Sequence, residues 1–152
     1  MGDTSFFQKG YTPPTAFYFQ VKFPDFPEMD SSFKEVSGLK VTVKTTEKKE
    51  GGDNSYIHYL PSIPQYSDLV LKRCLLPNSS LDEWCRNALE YFKFKPLDLQ
   101  VVLLGAETAP LASWSIYKAI PLSWELGALA STKNELAMET LILKYKHFKK
   151  DT

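Results

Sequence analysis

The alternation of apolar and polar side chains predicts extended structure along most of the chain. In residues 15–23, every second position from Phe17 to Phe23 carries a large apolar side chain, a period of two that is typical of a strand with one buried face. Similar patterns predict strands in residues 33–46 with a turn at Gly38, 56–60, 68–75, 97–104, 113–124 and 134–148. Prolines predict a break after Leu60 and a bulge at Pro121, and residues 105–110 predict a hairpin turn. The pattern indicates six or seven strands.

One segment follows a helical period instead. In residues 80–92 the apolar positions recur at i, i+3, i+4, i+7, i+8 and i+11, which places them on one stripe of a helix: Leu81, Trp84, Cys85, Ala88, Leu89 and Phe92. Ser80 and Glu83 have the spacing of a capping box at its start. We therefore expect a mainly β protein with one flanking amphipathic helix around residues 80–92. A closed or nearly closed β-barrel, covered on one side by the helix, satisfies this pattern.

Two polar features interrupt the apolar pattern. Thr42, Lys44 and Thr46 occupy alternate positions, so they share one face of their predicted strand. Residues 48–55 then combine two glycines with Asp, Asn and Ser, which predicts a mobile or strained loop.

Length and charge favour one self-associating domain. A chain of 152 residues can bury a substantial core, and we assign residues 1–14 to a leader and residues 15–149 to a single domain. The formal net charge is zero, which gives no electrostatic argument for a nucleic-acid or anionic-membrane partner and leaves little repulsion between copies. The first residues lack the basic and apolar regions of a signal peptide, so synthesis in the cytoplasm is expected. The apolar stretch 101–106 is too short to cross a membrane.

The residues with reactive side chains form no recognisable active site. His58 and His147 lack the spacing of a metal site, and Cys74 and Cys85 are interpreted as buried, inert core residues. The three tryptophans, with no basic stripe around them, are assigned to the core: Trp84, Trp114 and Trp124. The sequence thus predicts no catalytic residue, no cofactor and no metal site.

A series of short motifs, in order along the chain, resembles the tail tube proteins of contractile phages and related injection systems. The motifs run Phe33-x-Glu35-Val36-Ser37-Gly38-Leu39, Glu50-Gly51-Gly52-Asp53-Asn54, Leu60-Pro61, Leu69-x-Leu71-Lys72-Arg73, Leu81-x-x-Trp84, Trp114-x-Ile116-x-x-Ala119-x-Pro121-x-x-Trp124 and Asn134-Glu135-x-Ala137-x-Glu139-x-Leu141. A Lys-rich end follows the last motif, and the resemblance as a whole extends over about residues 16–148. The chain departs from the pattern in two places: Cys74 replaces a glycine that often follows the Lys-Arg pair, and Lys48-Lys49 replaces an aromatic-arginine pair.

The resemblance implies an Hcp-like tail-tube fold, a β-barrel or two-sheet structure with a flanking helix. It also implies hexameric rings that stack into a hollow tube inside a contractile sheath, with sheath, baseplate and tube-capping proteins as partners. Protein effectors or DNA are the cargo expected in the lumen, and no membrane insertion is expected. We assign contacts between subunits or rings to the polar loop, and the lumen to the polar strand face. These residues are Lys48, Lys49, Glu50, Gly51, Gly52, Asp53 and Asn54 for the loop, and Thr42, Lys44 and Thr46 for the lumen.

Three alternatives remain open at this point. A ring-forming secreted protein of a type VI secretion system shares the implied fold. A small ligand-binding barrel would require an apolar cavity, against which the many bulky aromatic residues argue. An enzyme would have to use Cys74 or His58.

Overall fold

The computed structural model describes residues 18–49, 57–74, 80–105, 109–127 and 137–151. These residues form the strands β1 (Tyr18–Lys22), β2 (Ser31–Phe33), β3 (Glu35–Ser37), β4 (Val41–Lys49), β5 (Ile57–Tyr66), β6 (Leu69–Cys74), β7 (Leu97–Leu104), β8 (Pro110–Leu126), β9 (Met138–Lys144) and β10 (His147–Lys150), with the helix α1 (Ser80–Leu89) between β6 and β7. A single 3-10 turn, Pro27–Met29, lies between β1 and β2.

The long strand β8 belongs to two sheets and joins them. Its first part pairs with β7 on one edge and with β10 on the other, while its second part pairs with β9. The hydrogen-bonded order is β2-β1-β7-β8-β9-β6-β3, with β10 added beside β8. β8 bends at Lys118, whose φ of 56° is left-handed and whose N–H donates to Asp98 Oδ1 at 3.0 Å. The two-sheet tail-tube arrangement expected from the resemblance is confirmed.

The ladder of hydrogen bonds does not close into a barrel. Its two ends, β2 and β3, are consecutive in the chain and are separated only by Lys34, whose N–H donates to Lys72 O at 2.8 Å. The chain itself therefore connects the two sheet edges where a closed barrel would have a strand ladder. Of the closed or nearly closed barrel that the sequence predicts, the closed form is therefore not present among the described residues, because one short segment changes sheet at this corner.

Alternating residues of both sheets form the core. The largest fully buried side chains are Phe23, Phe33, Leu69, Leu71, Leu99, Ile116 and Leu143. α1 packs its apolar face against this core, and the indole of Trp84 meets the ring of Phe23 edge-on at 5.8 Å. β7 has the bounds that the sequence pattern predicts, and the expected bulge near Pro121 is confirmed by a register shift between Pro121 and Ser123.

α1 begins at Ser80 as predicted but ends three residues early. Phe92 adopts a left-handed φ of 55°, and the N–H of Lys93 donates a hydrogen bond to Asn87 O at 2.8 Å. The apolar stripe therefore does not continue to the end of the predicted helix. Leu89 and Phe92, which the pattern places on the buried side, are 38% and 82% exposed.

β5 passes through both of its prolines, so the predicted break after Leu60 is wrong. Pro61 and Pro64 pair with Thr45 and Val43 of β4. Proline lacks a backbone donor and is tolerated where a strand has a free edge. Among the described residues β5 pairs only with β4, which leaves its other edge free.

The predicted strand over residues 134–148 is divided. β9 and β10 pair with successive parts of β8 and are separated at Tyr145 and Lys146, while residues 134–136 lie outside the described residues. No helix within the described parts of the chain has the length and apolar character needed to cross a membrane.

Candidate assembly surface

The β4–β5 hairpin stands apart from the two sheets. Among the described residues, β4 and β5 form a separate two-stranded sheet, with a register that runs from Val41 opposite Tyr66 to Lys49 opposite Ile57. Every residue from Val41 to Lys48 is exposed, on both faces of the strand. Isolated two-stranded hairpins are marginally stable in water, and this hairpin lacks the additional paired strands that stabilise the two sheets.

The two faces of the hairpin differ in chemistry. Residues directly opposite each other in an antiparallel pair share a face. One face, which we call the apolar face, contains Val41, Val43, Tyr59, Pro61 and Pro64, together with Thr45 and Glu47. The other, which we call the polar face, contains Thr42, Lys44, Thr46, Lys48, His58 and Gln65, with Leu60 as an apolar member.

The apolar face is open to solvent in the single chain. Val41 is 48% exposed, Val43 is 47% exposed and Tyr59 is 59% exposed. Ile63, at the bulge that shifts the register after Val43, is 83% exposed. A contiguous exposed apolar surface of this kind marks an interaction site.

The root of the hairpin is held by close contacts around Gly38. This glycine has a φ of 92°, and a Cβ atom placed on it would lie 1.8 Å from Asp68 O. Its carbonyl accepts hydrogen bonds from the N–H of Lys40 at 2.8 Å and from Tyr145 Oη at 3.2 Å. Only glycine fits here, because the backbone is left-handed and touches the opposite strand.

Aromatic rings complete this root. Tyr66, Tyr145 and Phe148 meet edge-on with centroid separations of 5.5 to 6.1 Å. Burial of the Tyr145 hydroxyl, followed by the nearby charge of Asp68 and by Tyr66, raises the pKa of Tyr145 to about 12. The hairpin thus leaves the domain from a fixed base, which gives its two faces a defined direction.

The residues that the sequence assigned to the lumen and to the polar loop can be compared with the structure in part. Thr42, Lys44 and Thr46 lie on the polar face and are exposed, so the expected shared face is present. Lys48 and Lys49 are the last residues of β4 rather than loop residues, because the ladder continues to Ile57. The remaining predicted contacts lie outside the described residues: Glu50, Gly51, Gly52, Asp53 and Asn54.

Residues 15–149 match the family model of the T4-like virus tail tube protein gp19. The chain belongs to this family. The family consists of structural tail tube proteins, which confirms the interpretation of the chain as a structural subunit and not an enzyme. No curated protein gives a significant match.

Solved structures of contractile injection systems resemble this tail tube protein over nearly its full length. A chain of the anti-feeding prophage baseplate, from a six-fold symmetrised structure, is 26% identical with a TM-score of 0.77, and the match covers 93% of this chain and 97% of that one. A chain of the sheath-tube complex of the extracellular injection system PVC is 22% identical with a TM-score of 0.74, covering 100% and 99%. Hcp1 from Flavobacterium johnsoniae shares the fold at 13% identity, with a TM-score of 0.52 over 87% and 93% of the two chains.

A buried ion cluster, which the sequence patterns did not predict, supports the body of this tail tube protein. Arg73 Nε donates to Glu139 Oε2 at 2.8 Å, and its Nη2 donates to Asp82 Oδ1 at 3.0 Å. Trp124 Nε1 donates to the second oxygen of Glu139, and the guanidinium lies 5.4 Å from the ring of Phe33. These contacts tie β6, β9, α1, β8 and β2 together.

The alternation along β6 contained the signal for this cluster. Leu69 and Leu71 point into the core, and Arg73 occupies the next position on the same face. A charged residue on a buried face needs partners of opposite charge, which α1 and β9 supply here.

The reactive side chains form no active site among the described residues. Cys74 is exposed, so its predicted burial is wrong: it is the outward-facing residue at the end of β6. Cys85 is buried as predicted, and burial, followed by the charges of Asp82 and Glu139, raises the pKa of its thiol to about 12, which disfavours a nucleophilic thiolate. His147 stacks on Tyr117 with ring centroids 4.4 Å apart, and His58 lies on the hairpin opposite Lys48. No group of three or more potential metal ligands occurs within the described ranges.

The tryptophans lie where the sequence predicts them. Trp84 is buried and its Nε1 donates to Lys95 O at 2.9 Å, whereas Trp114 and Trp124 are partly buried against the core. They therefore pack on the core, and Trp124 also donates its hydrogen bond to Glu139 in the ion cluster.

Proposed function

We propose that this chain is the repeating subunit of the inner tube of a contractile injection system or phage tail. Six copies form a ring, rings stack into a hollow tube, and contraction of a surrounding sheath drives the tube through a target envelope. Family membership and the six-fold symmetrised structure that contains the anti-feeding prophage relative support this proposal.

The observation that carries the proposal is the apolar face of the β4–β5 hairpin. Val41, Val43 and Tyr59 are about half exposed in the single chain, and among the described residues no other strand pairs with the hairpin. A neighbouring copy can cover this face and pair with the free edge of β4. A contact of this kind is heterologous, since the hairpin of one copy meets a different surface of the next, and it can close into a ring.

If a neighbouring copy covers the apolar face, the polar face of the hairpin stays exposed to water. When the apolar face lies against a neighbour, Thr42, Lys44 and Thr46 point in the opposite direction, which in a ring of hairpins is the lumen. This geometry supports the assignment of these three residues to the lumen. Lys48 and Lys49 end β4 at the opposite end of the strand from the root at Gly38, and we assign the contacts with the next ring to the segment from Lys48 to Asn54.

Similarity favours the tail-tube function over the type VI alternative. The injection-system chains named above have TM-scores of 0.74 and 0.77, against 0.52 for Hcp1 of Flavobacterium johnsoniae. Two surface clefts of about 270 and 330 Å³ occur in the described part of the chain, while large aromatic and aliphatic side chains fill the core between the sheets. This filled core disfavours a small ligand-binding barrel.

The proposal includes partners from the same machine. Relatives of this chain occur in structures of a sheath-tube complex, a baseplate and a tube-terminating cap. We infer that sheath, baseplate and capping proteins contact this tube as well, and that synthesis takes place in the bacterial cytoplasm before assembly into a phage-tail-like particle.

Electron microscopy of the purified full-length protein tests the proposal. We expect rings with six-fold symmetry, and tubes at high concentration or in the presence of the partner proteins. A chain that stays a folded monomer at every concentration, with and without those partners, contradicts the proposal.

A pair of matched substitutions tests the role of the apolar face. Val43→Gln places an amide on the covered face, whereas Thr42→Gln places the same amide on the polar face one residue away. Loss of half-buried valine surface costs about 1 kcal/mol at each contact, and this loss is repeated around the ring. We expect Val43→Gln to abolish rings and Thr42→Gln to retain them, with both monomers folded by circular dichroism. Equal assembly of the two variants contradicts the assignment of the faces.

A further inference from the structure

The polar face of the hairpin is basic as well as polar. Lys44 and Lys48 lie on this face. They are four positions apart in β4, or about 13 Å along the strand. Glu47, the acidic residue between them, belongs to the apolar face. The described part of the polar face therefore carries two positive charges and no negative one, although the whole chain has a formal net charge of zero.

Assembly multiplies this charge. If six hairpins turn their polar faces inward, as the proposed function requires, each ring contributes two circles of lysines to the same lumen. A narrow channel with charges of one sign on its wall concentrates ions and molecules of the opposite sign. The wall therefore attracts polyanions and repels polycations.

We propose that the tube conducts polypeptide cargo with a net negative surface, and that Lys44 and Lys48 select it. This inference rests on the proposed function, because it requires the polar face to line the lumen. It goes further in naming the chemical class of the cargo and the residues that recognise it.

The composition of the polar face favours an acidic polypeptide over a nucleic acid. Grooves that hold single-stranded nucleic acid combine cations with aromatic stacking platforms. Here the two tyrosines of the hairpin strands, Tyr59 and Tyr66, lie on the same side as Val41 and Val43, and the polar face offers Thr, Lys, Gln and His58. Duplex DNA carries one negative charge for about every 1.7 Å of its axis, so circles of lysines would retain it strongly through release of counterions. A conduit must bind weakly enough to release its cargo.

The test uses tubes assembled from the full-length protein, with their formation first confirmed by electron microscopy. Labelled poly-L-glutamate, poly-L-lysine and a single-stranded oligonucleotide of similar length serve as probes, and retention is measured by co-sedimentation with the tubes. We expect poly-L-glutamate to be retained at least about fivefold more than poly-L-lysine at low salt, and retention to fall at about 0.5 M salt, where charges are screened. Cryo-electron microscopy of loaded tubes should place the additional density inside the lumen.

Charge reversal identifies the residues responsible. The double variant Lys44→Glu, Lys48→Glu should reverse the preference, so that poly-L-lysine is retained and poly-L-glutamate is not. The control Lys34→Glu, Lys93→Glu makes the same change in net charge at two exposed lysines outside the hairpin, and it should keep the original preference. If the first variant does not assemble, the neutral pair Lys44→Gln, Lys48→Gln should lose the preference without reversing it.

The outcomes separate this inference from the proposed function. Absence of tubes from the unaltered protein and its partners contradicts the function itself. Normal tubes that retain poly-L-lysine, that are indifferent to both Lys variants, or that bind poly-L-glutamate only on their outer surface overturn the inference alone. Stronger lysine-dependent retention of the oligonucleotide than of poly-L-glutamate overturns the choice of polypeptide cargo.

Discussion

In the two sheets, apolar side chains alternate into a shared core, and the buried cation Arg73 donates hydrogen bonds to Asp82 and Glu139. In the β4–β5 hairpin, by contrast, strands of nine and ten residues carry exposed apolar side chains along one face. The body of the domain therefore buries its apolar side chains within one chain, whereas the hairpin leaves apolar side chains exposed. In the proposed tube a sister copy covers them, so that the body determines stability and the hairpin determines assembly.

Substitution of Arg73 should have the largest effect on the body. Arg73→Leu leaves the carboxylates of Asp82 and Glu139 buried without their cation, which costs about 3–5 kcal/mol. Urea denaturation should show this loss in the free energy of unfolding. The neighbouring Lys72→Leu, in which an exposed ion pair with Glu35 at 3.9 Å is removed, should change it by less than about 1 kcal/mol. Similar losses for both variants would mean that the cluster does not stabilise the body.

Gly38 lies at the root, where the hairpin joins the body, and its substitution should have the next largest effect. Gly38→Ala introduces a Cβ at a φ of 92° and 1.8 Å from Asp68 O, so the backbone must move, at a cost of more than about 1 kcal/mol. We expect lower stability together with fewer rings, since the direction of the hairpin also changes. Gly105→Ala is the control, because its Cβ would meet only the side chain of Leu111 at 3.4 Å. A fully stable Gly38→Ala protein that still forms rings would show that the root is not fixed as described.

Alkaline pH should weaken the body gradually. The pKa of Cys85 is about 12 in the folded protein against 9.0 for an unperturbed thiol, so the unfolded chain loses its proton first and the stability from this group declines between about pH 9 and 12. Tyr145, with its pKa raised to about 12, acts in the same direction above about pH 10. Urea midpoints measured across this range should fall, and Cys85→Ala should flatten the decline while lowering stability at neutral pH. An unchanged slope in that variant contradicts this role of Cys85.

Shortening the hairpin should have the smallest effect on stability and still prevent long tubes. Deletion of residues 51–54 leaves three residues to connect Lys49 with Ile57, a length that hairpins accept. We expect the free energy of unfolding of the domain to change by less than about 0.5 kcal/mol, because among the described residues β4 and β5 form no ladder with the two sheets and their contact with the core lies at the root, around Tyr66. Normal long tubes from this variant, seen by electron microscopy, contradict the assignment of this segment to contacts between rings.

The same contrast explains what the sequence could predict. The period of two gives β7 with its observed bounds, and the capping box gives the start of α1, because both depend on neighbours in the chain. The route of β5 through Pro61 and Pro64 depends on whether the strand has a free edge, which is a property of the sheet. The end of α1 at Leu89 depends on the left-handed backbone of Phe92. A phenylalanine gives no sequence signal for this conformation, as a glycine would.

The candidate surface was predictable only in part. The polar face of Thr42, Lys44 and Thr46 follows from alternation within one strand. The apolar face opposite could not be read in the same way, because the bulge after Val43 shifts the register and exchanges the faces of β5. Exposure of Val41 and Val43 is also invisible in a sequence, where valine in a strand normally indicates a core position.

Hydrogen exchange of the backbone amides in β4 and β5 tests the central claim most directly. Exchange is measured on the dilute monomer and on assembled tubes of the same protein. We predict that amides in these two strands exchange rapidly in the monomer and become strongly protected in the tube, while amides of β7 and β9 are protected in both states. Rapid exchange of β4 and β5 in well-formed tubes would contradict the claim that sister copies cover the hairpin.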